Sequence, residues 1–174
     1  ALNLIKKILR GTYRYSNGEE QIVLEDGKYV KINYSSSGQQ ECVWILNLLF
    51  YHLIQQNRTL FIVEEPESHL FPESQKYISE LIALVVKMGH SVLLTTHSPY
   101  VLGTLNNLLY AGTLAPKYQD DADKIISKLF WIEHDKFDSW FVEDGTIENC
   151  MDREIQMIQN ERIDEISKVI NADF

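Results

Sequence analysis

Two adjacent glutamates, Glu64 and Glu65, close an apolar run that reads LFIV, and a proline and a third acid follow them. Burying one carboxylate is costly, and a second beside it adds like-charge repulsion unless a cation or a proton compensates. At the end of a strand, such acids can hold a hydrated Mg2+ and orient a water for attack on a phosphoryl group. The ordinary alternative is a strand running out into solvent, which two adjacent acids followed by proline make weaker. Further along, LLTTHSP sets His97 just past a second apolar run. An imidazole there can donate a hydrogen bond to a phosphate or position a water. A lone histidine is more often a helix-capping or satisfied core residue. Earlier, SSSGQ (Ser35 to Gln39) stands directly ahead of a long helical pattern. Small hydroxyl residues and a glycine there leave backbone N–H groups open to an anion, with the positive end of the helix dipole behind them. A plain serine cap is the competing reading. The three features in this order, on consecutive element ends, are more specific than any one of them.

The elements that would position these residues follow from periodicity. Residues 2–10 read as an amphipathic helix, and GTYRY, EQIVLE and KYVKINY as three short strands, with Asp26-Gly27 as the hairpin turn between the last two. A helix is predicted over about residues 38–57. Cys42, Ile45, Leu46, Leu49, Phe50, Leu53 and Ile54 share one face, and Trp44, Leu48 and Tyr51 another, so more than one face is expected to be buried. A strand near 59–63 comes next, then a helix from Pro72 with Lys87 in its last turn and Gly89 past its end. A strand at 91–95 and a helix opened by Ser98-Pro99, running to about 109, complete the series. This alternation predicts an α/β fold with a parallel sheet flanked by helices. Residues 111–124 read as a polar connection, and LFWIEH and SWFVED as two strands joined across Asp135–Asp138. A final charged helix is expected near 154–170, carrying Ile155, Ile158, Ile163, Ile166 and Ile170.

With 174 residues, 45% hydrophobic and 24% charged, the chain can bury a real core as one domain. Its net charge of −9 would repel a nucleic-acid duplex, so DNA binding by this segment is not expected. Lys6, Lys7, Arg10 and Arg14 form a small basic cluster, read as a solvated helix face or a local contact. Cys42 and Cys150 have no paired spacing; Cys42, in an apolar stretch, reads as a reduced buried thiol in a cytoplasmic protein. The longest apolar run, 43–54, is too short to span a bilayer, so no membrane association is expected. No signal peptide is visible, and the chain opens inside a helical pattern without an initiator Met, which reads as a fragment or one half of something larger.

Taken together, SSSGQQ, LFIVEEPESHLFPES and VLLTTHSPYVL resemble the second half of an ABC-type ATPase head. The nearest likeness is to the predicted AAA/ABC ATPases related to the OLD and RecF-like proteins of genome maintenance and phage defence. The resemblance is firm over about residues 30–110. It implies a P-loop NTPase-like α/β head with a small β-rich N-terminal flap, organised as a single domain over 1–174. Within it, 1–35 form the helix and flap, 36–110 the core, and 111–174 the C-terminal strands and helix. It further implies that Ser36, Ser37, Gly38 and Gln39 are signature residues facing the γ-phosphate of ATP held by an opposite protomer. Glu64 takes the Walker B place and helps hold Mg2+ through water, Glu65 is the catalytic base, and His97 senses the γ-phosphate. Glu67, Ser68 and His69 fall on the D-loop at the protomer interface. The implied cofactors are ATP and Mg2+. The implied partners are a homodimer or paired ATPase head, met through signature and D-loop, and beyond it a nuclease or DNA-repair protein. Glu64 replaces the usual Walker B aspartate and Ser37 the first signature glycine, both familiar in the OLD-like branch.

A complete site also needs the Gly-x-x-x-x-Gly-Lys-Ser/Thr loop that cradles the β- and γ-phosphates. The one Gly-Lys pair, Gly27-Lys28, has Ile22 five residues before it and Tyr29 after it, and reads as a hairpin turn. The chain is therefore expected to be the C-terminal part of an ATPase head that hydrolyses ATP poorly or not at all by itself. The rival reading is a non-catalytic, ATPase-like interaction module lacking Walker A. A zinc protein would need ligand spacing that the five histidines and two cysteines lack, and a serine hydrolase would need a Gly-x-Ser-x-Gly elbow. Asp121-Ala122-Asp123 has the letters of a Toprim nuclease motif but sits in a polar stretch.

Overall fold

Leu4, Ile5, Ile8 and Leu9 recur at helical spacing and form the buried side of helix α1 (Leu2–Leu9). This helix packs against α2 (Ser37–Gln55) and α3 (Pro72–Lys87). Its cations lie over aromatic rings of the same unit: Lys7 Nζ is 4.7 Å from the Tyr77 ring centre and the Arg10 guanidinium 5.2 Å from that of Phe71. The expected flap follows as an antiparallel sheet, β1 (Thr12–Ser16), β2 (Glu19–Val23) and β3 (Tyr29–Lys31), in that order. At the Asp26-Gly27 turn, Leu24 N–H donates to the Lys28 carbonyl at 2.8 Å, and Lys28 N–H to Asp26 Oδ1 at 3.0 Å.

In this computed structural model, residues 1–55 and 57–159 are described. They fall into two units, Ala1–Thr96 and a second beginning at His97. The centre of the first is the parallel pair β4 (Leu60–Glu64) and β5 (Ser91–Thr95), in register from Leu60↔Ser91 to Glu64↔Thr95. The two are joined through α3, whose Pro72 sits at the helix start with Glu73 in the first turn. Ile78, Leu81 and Val85 of α3 are fully buried, and Leu81→Ala would cost about 2–5 kcal/mol. The α/β reading with a parallel pair holds.

One expectation for this unit fails. Cys42, Val43, Leu46 and Leu49 of α2 are buried, but Trp44, Leu48 and Tyr51 are exposed. The helices and strands of this unit cover one side of α2, and its second apolar stripe meets solvent.

The second unit starts with α4 (Pro99–Thr113), capped as predicted: Ser98 Oγ accepts from the N–H groups of Tyr100 and Val101, at 3.1 and 3.3 Å. Beyond it the sequence reading needs four corrections. The stretch expected to be a polar connection contains helix α5 (Pro116–Ile125), which is mostly polar and buries no residue, so composition alone reads it as a connection. LFWIEH is not a strand. Its centre lies along α4, with Trp131 and Ile132 buried, Ile132 N–H donating to the Leu108 carbonyl at 3.2 Å, and Trp131 Nε1 to the Ile126 carbonyl at 2.8 Å. Gly112 permits that approach, because a Cβ there would stand 2.2 Å from the Ile132 carbonyl oxygen. SWFVED does supply a strand, β6 (Trp140–Glu143), but it pairs forward with β7 (Thr146–Asn149) and not back across 135–138. The turn is Asp144-Gly145, with φ of 48° and 75°.

The fourth correction concerns the expected helix near 154–170. Residues 151–158 form a small antiparallel pair, β8 (Met151–Asp152) and β9 (Met157–Ile158), so Ile155 and Ile158 are not helical. Ile163, Ile166 and Ile170 lie outside the described residues. Buried Asn106 of α4 secures β9 with two bonds to one residue, accepting from Ile158 N–H at 2.7 Å and donating to its carbonyl at 3.0 Å. Among the described residues no helix is long and apolar enough to cross a membrane.

Candidate functional site

The two acids that opened the question sit at the carboxyl end of β4, and both are exposed. Neither carboxylate is taken out of water, so the desolvation problem posed by the sequence does not arise for them. Glu64 is still in the strand, opposite Thr95 of β5. Glu65 keeps one bond to the ladder, its N–H donating to the Thr95 carbonyl at 3.0 Å, and then turns the chain with φ of 41°. A non-glycine residue held there costs of order 1–3 kcal/mol, and such strain persists where surrounding structure over-determines it.

What over-determines it is a tight turn, residues 65–70. Ser68 N–H donates to the Glu65 carbonyl and Leu70 N–H to that of Glu67, both at 2.9 Å. Ser68 Oγ donates to Glu65 Oε2 at 3.3 Å, restricting the side chain of the proposed base. His69 is the second left-handed residue of the turn, with φ of 57°. The buried carboxylate of this segment belongs to Glu67, only 7% exposed, which accepts a hydrogen bond from the Thr96 hydroxyl through Oε1. Sequence reasoning gave Glu67 a place on a loop and missed this bond. The one available signal was the acid following Pro66, too short a pattern to predict burial.

The start of α2 has the serine cap, the competing reading of SSSGQ. Ser36 and Gln39 form a reciprocal capping box: Gln39 N–H donates to Ser36 Oγ at 3.3 Å, and Ser36 N–H to Gln39 Oε1 at 3.1 Å. Gln39 Nε2 also donates to the Leu9 carbonyl at 2.7 Å, so this side chain ties α2 to α1. Gln40 N–H begins the helical ladder on the Ser36 carbonyl. Among the described residues, the N–H groups of Ser37 and Gly38 have no such acceptor, as the first turn of a helix leaves them. Ser37 is exposed; Gly38 is buried. The reason for glycine at 38 is direct: a Cβ would stand 2.4 Å from the His69 carbonyl oxygen and 2.9 Å from its carbon. The helix start and the turn after the two acids are thus in backbone contact within the first unit.

His97 follows Thr96 and opens the second unit, exposed and one residue ahead of the Ser98 cap of α4. Hence Ser36, Ser37, Gly38, Gln39, Glu64 and Glu65 belong to one unit, and His97 to the next.

A model of the AAA ATPase domain matches residues 2–102, which takes in both acids, the start of α2 and His97. The chain belongs to the AAA ATPase domain family. Searches of curated proteins and of solved structures returned no match. Membership of the AAA ATPase domain family carries ATP binding and hydrolysis as the general activity.

The residues fit Mg2+ only as a minor contribution from protein. Among the described residues no group of three His, Cys, Asp or Glu side chains could hold a metal ion. Mg2+ keeps several waters and takes one or two carboxylates plus substrate phosphates, and an exposed Glu64 beside Thr95 at a strand end suits that role. For the nucleotide the described residues offer less: a helix start for a phosphate edge, and no phosphate loop, since Gly27-Lys28 is the hairpin turn between β2 and β3.

Proposed function

We propose that this chain supplies part of a Mg2+-dependent ATP hydrolysis site, with the remaining phosphate contacts coming from outside the described residues. The observation that carries this reading is the pair of exposed acids at the carboxyl end of β4, in register with Thr95 of β5. Ligands of parallel α/β sheets gather at that edge. Bound Mg2+ would neutralise charge on the phosphates. Glu64, at the strand end, would help hold the ion through water. Glu65 polarises the attacking water and receives its proton, with Ser68 limiting the directions its carboxylate takes. The N–H groups at the start of α2, around Ser37 and Gly38, donate to a γ-phosphate oxygen, while Ser36 and Gln39 hold that helix start in shape. His97 acts as the switch residue that senses the γ-phosphate.

In this reading the nucleotide is sandwiched in a head-to-head dimer, ATP acting as the glue and hydrolysis as the release. The motif letters extend it to the OLD and RecF-like branch, hence to DNA maintenance or phage defence with a nuclease or repair partner. The exposed apolar stripe of α2 and the absence of a phosphate loop among the described residues favour one other reading, an ATPase-like module that only binds a partner.

Gly38→Asp is the obvious test of the composite site, but any side chain at 38 strikes the His69 carbonyl. Ser37→Asp is cleaner: the residue is exposed in the first turn of α2, where an acid favours the helix. Placed against a γ-phosphate, the new carboxylate abolishes dimerisation of the complete protein by a non-hydrolysable ATP analogue, measured by light scattering. Normal dimerisation of this variant refutes the composite site.

A further inference from the structure

The turn after the two acids is held from opposite sides. On the strand side, Glu65 N–H bonds the Thr95 carbonyl at 3.0 Å. On the helix side, the His69 carbonyl lies against Gly38, where even a methyl group would stand 2.4 Å from its oxygen. Glu65 and His69, the first and fifth residues of the bend, both have positive φ, 41° and 57°. Between them, Ser68 bonds the Glu65 backbone and side chain. A short loop with two left-handed residues and fixed ends has few alternative paths, so a displaced His69 carbonyl must be absorbed at Glu65. The His69 side chain is exposed and meets Glu41 at 3.7 Å, a surface pair of little energetic weight. What this position contributes is its backbone.

We propose that His69 is a positioning residue for Glu65: its left-handed backbone seats the carbonyl on Gly38 and thereby sets the direction of the Glu65 carboxylate. The inference rests on the reading of Glu65 as the base and adds a residue that acts without touching nucleotide. It also gives Gly38 a second task, because a phosphate drawn to the start of α2 is felt at the turn that carries the base.

The test is steady-state ATP hydrolysis by the complete protein, with kcat and KM for Mg-ATP measured for substitutions at 69. Activity follows left-handed tolerance and not imidazole chemistry: His69→Asn and His69→Gly keep kcat within about threefold. His69→Val, strained at positive φ, loses about tenfold or more in kcat with KM little changed, the signature of a misplaced group. Gly38→Ala, which pushes the same carbonyl from the other side, gives the same loss, and adding His69→Gly restores part of it. That pair keeps the test decisive if the valine variant does not fold. Equal loss in the asparagine, glycine and valine variants overturns the proposal in favour of a contacting side chain, and full activity in all of them overturns it as well. If the unsubstituted protein hydrolyses no ATP, the reading of Glu65 and this inference fall together; if it does and the order fails, only the inference falls.

Discussion

Both faces of the β4–β5 pair carry large apolar residues, but their surroundings are opposite. Phe61 and Val63 are buried, and the Phe61 ring lies 5.3 Å from that of His52 on α2 and 5.6 Å from that of His90. On the other face, Leu60, Ile62 and Leu93 are exposed, Ile62 at 66%, and this face ends in Glu64 and Thr95. Parallel strands are ordinarily covered on both sides, which is why they read as continuous apolar runs. The difference teaches that an apolar strand run does not by itself say which face the chain covers. It also places the proposed metal-binding acid on the open side, with Leu60, Ile62 and Leu93.

The largest effect that would sharpen this contrast is chemical. Cys42, on the closed side of α2, has its thiol pushed up to about 12 by burial, against an ordinary 9.0. It therefore holds roughly a thousandth of the usual thiolate. Alkylation at pH 8 followed by mass spectrometry should label Cys150 and spare Cys42 until the protein is unfolded. Rapid labelling of Cys42 in the folded protein would show that this side is open too.

Next comes Phe61→Ala, which should remove about 3–5 kcal/mol of stability, read from a urea midpoint. A loss near zero would mean that the face described as closed is not packed. A smaller effect belongs to Glu80 of α3, whose carboxyl is raised above its ordinary 4.5, first by burial, with Lys76 opposing. A raised carboxyl binds its proton more tightly folded than unfolded, so its contribution favours folding in acid. That contribution is lost as pH rises through the raised value. Glu80→Gln should flatten the fall of the melting temperature with pH above 4.5, and an unchanged slope would contradict the assignment.

The smallest effect is on the open face: Ile62→Ser should change the stability of this chain by no more than about 0.5 kcal/mol. A loss comparable to that of Phe61→Ala would show that the two faces do not differ.

Much of the first unit was legible in the sequence because its elements carry strong periods and explicit punctuation. Asp26-Gly27 and Pro72 mark the turn and the helix start that the sequence predicts, as Ser98-Pro99 does at the head of the second unit, and alternating helix and strand patterns give the parallel pair. The second unit defeated the same rules where backbone bonds go to unexpected places. The buried run around Trp131 and Ile132 gives its hydrogen bonds to α4 and the chain beside it, which periodicity cannot distinguish from a strand. The expected hairpin across Asp135–Asp138 is misplaced although Asp144-Gly145, a signal of the same kind as Asp26-Gly27, stands just beyond it.

At the candidate site, residue types and their order were legible: hydroxyls and glycine at a helix start, acids at a strand end, a histidine past the next. The close approach of Gly38 to His69, the left-handed Glu65 and the buried Glu67 were not, because each depends on a backbone path that only the fold specifies.

The central claim is that Glu65 activates the water that attacks ATP. Its most direct test is the ATP turnover of the complete protein with and without Glu65→Gln, at saturating Mg-ATP. The glutamine matches the shape of the acid but cannot take a proton, so kcat should fall by about 100-fold or more while analogue-driven dimerisation persists. Turnover that survives the substitution would contradict the assignment of the base.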